Sequence, residues 1–337
     1  MNVLLTGGTG YIGSHTTVVL SQLGHQIVLH DNLSNSSDTV HRKLEHITGQ
    51  RIPFVKGDVR DTELLTGALA THHIDAVIHF AGLKAVGESV EKPVDYYANN
   101  VQGAISLLQA MQSVGIKTLV FSSSATVYGE PQYLPLDENH PTGATNPYGR
   151  SKLHIEEMLN DVAASAPDWR IACLRYFNPV GAHESGLIGE NPNGVPNNLM
   201  PYIAQVAEGR QPCLSVFGGD YPTEDGSGVR DYIHVMDLAE GHAAALNFLS
   251  QTTGCHAINL GAGQGYSVLD MVRAFEKASA REVPYKIVTR RAGDVAASYA
   301  DPKKASELLN WSATRNLDDM CVSTWRFQQL QGLSATS

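Results

Sequence analysis

The stretch NVLLTGGTGYIG, residues 2–13, decides the fold. Its first five residues form a short apolar run of the kind that makes a buried strand. Three glycines follow in the spacing G-x-x-G-x-x-G, at Gly7, Gly10 and Gly13, and residues 11–23 predict a helix. Glycine permits a tight turn and a close approach to the backbone, and the start of a helix offers free N–H groups. This order of elements therefore predicts a βαβ unit that holds a pyrophosphate.

Strand and helix patterns alternate through the first half of the chain. Further strands are predicted at 26–31, 52–58, 75–82, 117–124 and 170–177, and long helices near 94–114 and from about Tyr148 to 163. Alternation of this kind indicates a parallel sheet, and near-continuous apolar strands indicate burial on both faces. We therefore expect an α/β fold, a Rossmann-type doubly wound parallel sheet. Four prolines between residues 129 and 147 predict a long loop there.

The end of the second strand favours one dinucleotide. Asp31 lies eighteen residues beyond Gly13, where a carboxylate accepts hydrogen bonds from both ribose hydroxyls and repels a 2′-phosphate. NAD is therefore favoured over NADP as the cofactor. The alternative is a glycine-rich turn with a helix-capping Asp. Asp58, at the end of the third strand, is either an adenine contact or a turn residue.

The amino-acid composition of the chain changes after residue 177. Residues 178–230 are rich in Pro, Gly and Asn, with one helical stretch at 199–209. We expect residues 1–177 to form the NAD-binding Rossmann domain and 178–337 a smaller α/β substrate lobe. The strands predicted near 231–235 and 256–261 are candidates to return to the main sheet.

The segment YGRSK, residues 148–152, supplies a candidate base. Tyr148 and Lys152 are one helical turn apart and so share a face. A tyrosine has a pKa of about 10, and a nearby ammonium lowers it by favouring the tyrosinate. Ser124 ends the strand before the long loop, at the edge of the sheet where ligands bind, and could hydrogen-bond the same substrate hydroxyl. Alone, the Tyr/Lys pair would be read as helix surface.

Composition excludes several classes of protein. The 337 residues carry 24 basic and 34 acidic side chains, a net charge of −10, which disfavours nucleic acid or a membrane surface as a partner. The four cysteines and 14 histidines show no metal-ligand spacing, and we expect no metal. Widely spaced cysteines and the absence of a signal-peptide pattern predict a cytoplasmic protein with reduced thiols.

Seven motifs together resemble the extended short-chain dehydrogenase/reductase family, and within it the epimerases that act on nucleotide sugars at C4. The motifs are TGGTGYIGSH, HFAGLKAVGES, FSSSATVYG, PYGRSK, RYFNPVGAH, NNLMPYIAQVA and YPTEDGSGVRDYIHVMDLA, in that order along essentially the whole chain. The resemblance implies an NAD-dependent enzyme that interconverts UDP-galactose and UDP-glucose through a 4-keto intermediate, and a homodimer packed through the helices near 94–114 and 149–163.

The resemblance also assigns roles to residues. It implies that Tyr148 is the base, that Ser124 assists it, and that Lys152 lowers its pKa. Its implied cofactor contacts are Gly7, Gly10, Tyr11, Ile12, Asp31, Asn32, Asn35, Ser36, Asp58, Val59, Phe80, Ala81, Gly82, Lys84, Asn99, Tyr148, Lys152 and Phe177. Its implied UDP-sugar contacts, beside Ser124 and Tyr148, are Asn178, Asn198, Leu199, Phe217, Arg230, Arg291, Asp294 and Ser298. Arg230 and Arg291 suit a diphosphate, although each could instead pair with a neighbouring Asp231 or Asp294.

Ser298 departs from the large tyrosine that some members of the family have at this wall of the sugar pocket. A small side chain leaves room for a 2-acetamido group, and we expect activity on UDP-GlcNAc and UDP-GalNAc as well. The alternatives are a collapsed or water-filled gap, or Tyr299 turned inward.

Two other functions fit the sequence less well. A sugar-nucleotide 4,6-dehydratase would carry an adjacent Asp and Glu where this chain has Ala125 and Thr126. A non-catalytic NAD-binding regulator would not need Tyr148, Lys152 or the two arginines, all of which are present.

Overall fold

The computed structural model describes residues 1–192, 196–291 and 293–335. These residues form thirteen strands: β1 Asn2–Thr6, β2 Gln26–Asp31, β3 Phe54–Lys56, β4 Ala76–His79, β5 Thr118–Ser124, β6 Arg170–Tyr176, β7 Asn178–Val180, β8 Leu214–Phe217, β9 Val229–His234, β10 Gly254–Leu260, β11 Gly265–Ser267, β12 Tyr285–Val288 and β13 Ala297–Ser298.

Twelve α-helices accompany the strands in the same part of the chain: α1 Tyr11–Gln22, α2 Asp38–Thr48, α3 Thr62–Thr71, α4 Val86–Glu91, α5 Pro93–Tyr96, α6 Gln102–Val114, α7 Pro147–Ser165, α8 Leu199–Ala207, α9 Val235–Leu249, α10 Val268–Ser279, α11 Lys303–Leu309 and α12 Leu317–Ala335. A π-helical turn, Tyr97–Val101, joins α5 to α6, and a 3₁₀ turn, Ala125–Val127, follows β5.

The main sheet has seven parallel strands in the order β10-β6-β5-β4-β1-β2-β3. The chain runs outward from β1 through β2 to β3 and then returns to place β4 on the other side of β1. This reversal opens a crevice at the carboxyl ends of β1 and β4, where sheets of this kind bind ligands. The predicted Rossmann-type sheet is confirmed.

Helices cover both faces of this sheet because its strands are apolar on both sides. Val3 and Leu5 of β1 pack in the cluster that includes residues of α1, α2 and α9. Leu4, between them, packs in the cluster of α3, α6 and α7. Successive side chains of a strand point to opposite faces, so one apolar run supplies two cores. Each such buried side chain contributes about 1.5–3 kcal/mol.

A smaller set of strands forms the second lobe. β9 lies between β11 and β13 and also pairs with β7, while β8 pairs with β12. Residues of α8, α10 and α12 form a third apolar cluster against these strands. Of the two strands expected as candidates to rejoin the main sheet, β10 does so beside β6, whereas β9 stays in the smaller sheet. After residue 177, β10 completes the main sheet, and α9 and α11 pack in the same apolar cluster as β1.

The helix predicted near 94–114 is interrupted. It runs as α5, the π-helical turn and α6, and π-helical turns are frequent at functional sites. No helix in the described part of the chain has both the length and the apolar character to span a bilayer.

Candidate active site

The turn between β1 and α1 forms a cradle that only glycine permits. Gly7 has φ +69°, and a Cβ on it would lie 2.7 Å from the backbone nitrogen of Ala81. A Cβ on Gly13 would lie 2.4 Å from the carbonyl oxygen of Gly7. Gly10 precedes α1, and no side chain caps the first turn of that helix. The N-terminal N–H groups of α1 thus face the crevice, an arrangement that suits a pyrophosphate.

Asp31 fits the ribose role predicted for it. Its carboxylate is 9% exposed and accepts the N–H of Thr9 at 3.2 Å and that of Leu33 at 2.8 Å. The Ser36 hydroxyl donates to it as well, at 3.5 Å, so of the about four acceptor positions of a carboxylate one remains for a ribose hydroxyl. Ser36 bonds the Thr9 hydroxyl at 2.6 Å, which ties the loop with the exposed Asn32 and Asn35 to the glycine turn.

Asp58 and Val59 lie at the next strand end. The guanidinium of Arg60 donates to Asp58 at 2.9 and 2.7 Å, and this hydrogen bonding lowers the pKa of the carboxyl. The side chain of Val59 is buried against Gly103, where a Cβ would lie 2.7 Å from it. A cofactor contact at Val59 would therefore use its backbone.

The loop after β4 lies close to Lys152. Phe80 and Ala81 follow β4, and a Cβ on Gly82 would lie 3.7 Å from the ammonium nitrogen of Lys152. The side chain of Asn100 accepts the N–H of Leu83 at 2.8 Å and so holds this loop. Asn99, the residue predicted as a cofactor contact, lies beside Asn100 on the π-helical turn.

Lys84 makes a contact that the sequence did not indicate. Its ammonium lies 2.9 Å from Glu190, which also accepts a hydrogen bond from Asn198 at 2.6 Å. Glu190 thus joins a predicted cofactor contact to a predicted substrate contact. Tyr11, another predicted cofactor contact, donates from its hydroxyl to the Gly181 carbonyl at 2.7 Å.

The first turns of α7 carry the Tyr/Lys pair. Asn146 caps this helix by accepting the N–H of Gly149 at 2.9 Å. Lys152 is 4% exposed and donates to the carbonyl of Ser122 at 2.6 Å. Burial lowers the pKa of its ammonium to about 8, and the charge of Glu156 acts in the opposite direction. Lys152 is therefore buried and does not lie on the helix surface.

Tyr148 is half-buried beside Ser124. Burial raises the pKa of Tyr148, while a hydrogen bond with the Ser124 hydroxyl and the charge of Lys84 lower it. The cation that acts on the Tyr148 pKa here is thus Lys84, because the Lys152 ammonium is directed to Ser122. The predicted effect of Lys152 on the Tyr148 pKa stays a prediction.

A buried ion pair joins α7 to the main sheet. Glu156, one turn after Lys152, accepts hydrogen bonds from Arg175 of β6 at 2.7 Å and from the Ser123 hydroxyl. Arg175 also donates to the hydroxyl of Tyr128 at 3.0 Å. The pair links α7 to the strand ends that carry Ser124 and Phe177.

Most of the predicted substrate contacts lie on elements of the smaller lobe. Arg230 lies 3.5 Å from Asp294, whereas the acidic partner predicted as its alternative was its neighbour Asp231. The guanidinium of Arg291 stacks on the half-exposed ring of Phe217 at 4.4 Å. Asn178 begins β7, Leu199 begins α8, and Ser298 pairs with Arg230 across β13 and β9.

Asp231 instead binds backbone. It accepts the N–H groups of Ala262, Gly263 and Ala300 at 2.8, 2.9 and 3.1 Å, and burial raises its pKa to about 6. It holds the segment just after Ser298 and is unavailable as a partner for Arg230.

The comparisons with known proteins agree with this geometry. A family model described as GDP-mannose 4,6 dehydratase matches residues 4–324. The UDP-glucose 4-epimerase of Bacillus subtilis (strain 168) is 57% identical over 328 residues, which are 97% of each chain.

Two solved structures are also close. The Stenotrophomonas maltophila UDP-glucose-4-epimerase, with bound NAD and formylated UDP-arabinopyranose, has a TM-score of 0.98 and 52% identity, and the match covers 99% of each chain. The Bifidobacterium longum enzyme, in complex with NAD+ and UDP, has a TM-score of 0.95 and 50% identity, over 98% of this chain and 99% of that chain.

Together, the doubly wound sheet, the glycine cradle and the Ser124, Tyr148 and Lys152 side chains define a member of the extended short-chain dehydrogenase/reductase class. The chain belongs to the family described as GDP-mannose 4,6 dehydratase and, within it, to the UDP-glucose 4-epimerases.

Proposed function

We propose that this protein interconverts UDP-galactose and UDP-glucose by inverting C4 of the sugar, with NAD as its cofactor. The observation that carries the proposal is the grouping of Ser124, Tyr148 and a buried Lys152 beside the glycine cradle. The 57% identity to a UDP-glucose 4-epimerase over nearly the whole chain supports it.

The reaction needs a base, a hydride acceptor and room for the ketone to turn. NAD supplies the hydride acceptor. Tyr148 takes the proton of the C4 hydroxyl as hydride leaves the same carbon, which produces a 4-keto sugar. After the ketone turns over, hydride returns to its other face and Tyr148 gives the proton back. The proton and hydride are both restored, so no external oxidant is consumed.

The two ligands would bind to different parts of the chain. We assign NAD binding to residues 1–177 and UDP-sugar binding to residues 178–337, of which β10 completes the main sheet. Arg230 and Arg291 would bind the diphosphate, since a guanidinium offers a planar fork of donors. Phe217 supports this role for Arg291 because its ring already orients that guanidinium. The 4,6-dehydratase alternative lacks support, because Ala125 and Thr126 provide no carboxylate beside Ser124.

The test uses purified protein and UDP-galactose without added NAD. We expect anomeric proton NMR to show UDP-glucose, and Tyr148→Phe to reduce kcat by about 10²- to 10⁴-fold through loss of the base. Tyr285→Phe, a change at a half-exposed tyrosine of β12, is the matched control and should keep wild-type activity. No turnover by the wild type, even after NAD is supplied, would refute the proposal.

We further propose that the enzyme accepts UDP-GalNAc and UDP-GlcNAc. Ser298 and Arg230 are partners across paired strands and so share one face of the small sheet. Tyr299 comes next in the chain, and its ring lies beside Gly265, which pairs with Asp231 and not with Arg230. Neighbouring residues point to opposite faces, so Ser298, and not Tyr299, shares the face of Arg230.

A single substitution tests this specificity. Ser298→Tyr should reduce turnover of UDP-GalNAc by about 10- to 100-fold, the cost of overfilling a packed site, and change UDP-galactose turnover little. The same NMR assay measures both substrates. If the wild type turns over UDP-galactose but not UDP-GalNAc, the proposal of dual specificity is wrong.

We also propose a cytoplasmic homodimer. The free state of all four cysteines favours a reducing compartment. Val90 and Val94, on α4 and α5 beside the predicted interface helices, are 64% and 76% exposed, as expected of an interface face. Light scattering should give the mass of two chains.

A further inference from the structure

The three serines that end β5 are each held by a different partner. The carbonyl of Ser122 accepts from Lys152, and the hydroxyl of Ser123 donates to Glu156. The hydroxyl oxygen of Ser124 accepts from Thr126, two residues later. The strand end is therefore fixed residue by residue, and only Ser124 faces Tyr148.

Thr126 bonds the Ser124 oxygen twice. Its backbone N–H donates at 3.2 Å and its hydroxyl donates at 3.0 Å. A serine hydroxyl has two acceptor positions and one proton. Both acceptor positions of Ser124 are therefore filled, and the only group that its hydroxyl can still offer is its proton.

The same threonine positions the helix that carries Tyr148. A Cβ on Gly149 would lie 2.9 Å from the carbonyl oxygen of Thr126 and 3.3 Å from its Cβ. The first turn of α7 therefore packs directly against Thr126, and a side chain larger than glycine at position 149 would collide with it. One residue thus sets both the hydrogen bonding of Ser124 and the distance of Tyr148 from it.

We propose that Thr126 is a positioning residue that makes Ser124 a one-way hydrogen-bond donor, directed at the Tyr148 oxygen and the C4 oxygen of the sugar. The inference rests on the proposed function. Ser124 then neither gains nor loses a proton during turnover. It stabilises the negative charge that develops on whichever of the two oxygens is deprotonated, and Tyr148 alone carries the proton.

The experiment compares Thr126→Val with Thr126→Ser in the NAD-loaded enzyme. Valine keeps the shape and the backbone N–H but removes the hydroxyl, which frees one acceptor position on Ser124. We expect kcat for UDP-galactose to fall by about 10- to 100-fold, the effect of losing a hydrogen bond that acts on a charged group. KM should stay within about twofold, and Thr126→Ser should restore kcat, since only the hydroxyl matters.

The pH dependence supplies a readout that a merely structural role would not move. A donated hydrogen bond favours the tyrosinate, so weakening it raises the pKa of Tyr148. The rising limb of the pH–kcat profile should therefore shift to higher pH in Thr126→Val and return to its wild-type position in Thr126→Ser.

A double-mutant cycle with Ser124→Ala completes the test. If Thr126 acts through Ser124, Thr126→Val should have no further effect on kcat once Ser124 is alanine. Bound NAD and the melting temperature, both unchanged, would show that the variants are folded.

Three results would overturn the inference: wild-type kcat in Thr126→Val, failure of Thr126→Ser to restore it, or an equal effect of Thr126→Val in the Ser124→Ala background. An inactive wild type would instead refute the proposed function.

Discussion

The basicity of Tyr148 results from opposing effects on one oxygen. Burial disfavours the tyrosinate, whereas the Ser124 hydrogen bond and the Lys84 charge favour it. Lys84 is itself paired with Glu190, so its influence depends on a contact between the two lobes. The pKa of the proposed base is therefore set by residues from three separate segments, each placed by the fold.

Glu156 is the residue whose loss should cost the most stability near the site. It and Arg175 are 3% and 6% exposed. Glu156→Gln leaves a buried guanidinium without its counter-charge, which costs about 3–5 kcal/mol of unfolding free energy. Urea unfolding followed by circular dichroism measures this loss.

The matched control is an exposed ion pair. Lys277 and Asp318 lie 2.6 Å apart with side chains 71% and 55% exposed. Water screens such a pair, so Asp318→Asn should change the unfolding free energy by about 1 kcal/mol or less. Equal losses in the two variants would show that burial of the Glu156 pair has no energetic consequence.

At the scale of elements, the sequence predicted what depends on local patterns. The glycine spacing after β1 and the Tyr/Lys spacing on α7 each lie within one short segment, so their residue types alone specify the turn and the helix face. The loop at 129–147 followed from its prolines. These elements place the cradle, the proposed base and Ser124 at the carboxyl ends of the strands.

Other features depend on distant segments, and the sequence did not predict them. β9 and β10 are both short strands, and only their packing decides that β10 pairs with β6 while β9 remains in the smaller sheet. Glu190 lies in a Gly-rich loop, where no local sequence pattern marks it as a site residue, although it contacts both Lys84 and Asn198. Thr126 stood within a quoted motif, but its two bonds to Ser124 require the 3₁₀ turn.

Asp231 holds two chain segments in place through hydrogen bonds to their backbone. Adjacent in sequence to Arg230, it was a candidate ion-pair partner. Its burial and its three backbone bonds give it another role, which joins the turn at Ala262 to the segment after Ser298. The wall of the predicted sugar pocket is therefore anchored to the interior of the small lobe.

Over the whole molecule, several histidines are buried in the neutral form. Burial lowers the pKa of His15 and His79 to about 3, and that of His234 and His242 to about 4. An unfolded histidine has a pKa of about 6.5. The unfolded chain therefore binds protons between these values that the folded protein does not bind.

The sign of the resulting pH dependence follows from linkage. Stability from a group with a lowered pKa is complete above about pH 6.5 and is lost as pH falls toward the folded value. Each of the four histidines adds a slope of up to about 1.4 kcal/mol per pH unit. Asp231 acts in the opposite direction, because its pKa is raised to about 6 and its contribution is lost as pH rises. Burial also raises the pKa of Glu138, and the four histidines outweigh these two carboxyls.

We therefore expect the melting temperature to fall steadily as pH is lowered from 6.5 to 4.5, and scanning calorimetry at intervals of half a pH unit measures it. His79→Asn removes one titrating group while leaving a polar partner for the Thr6 hydroxyl, which lies 2.6 Å from the His79 ring. Because asparagine takes up no proton, this variant should lose less stability on acidification than the wild type. His46→Asn, at an exposed position on α2, should leave the slope unchanged. A slope that is the same in the wild type and His79→Asn would mean that His79 takes up its proton in the folded protein, against its burial.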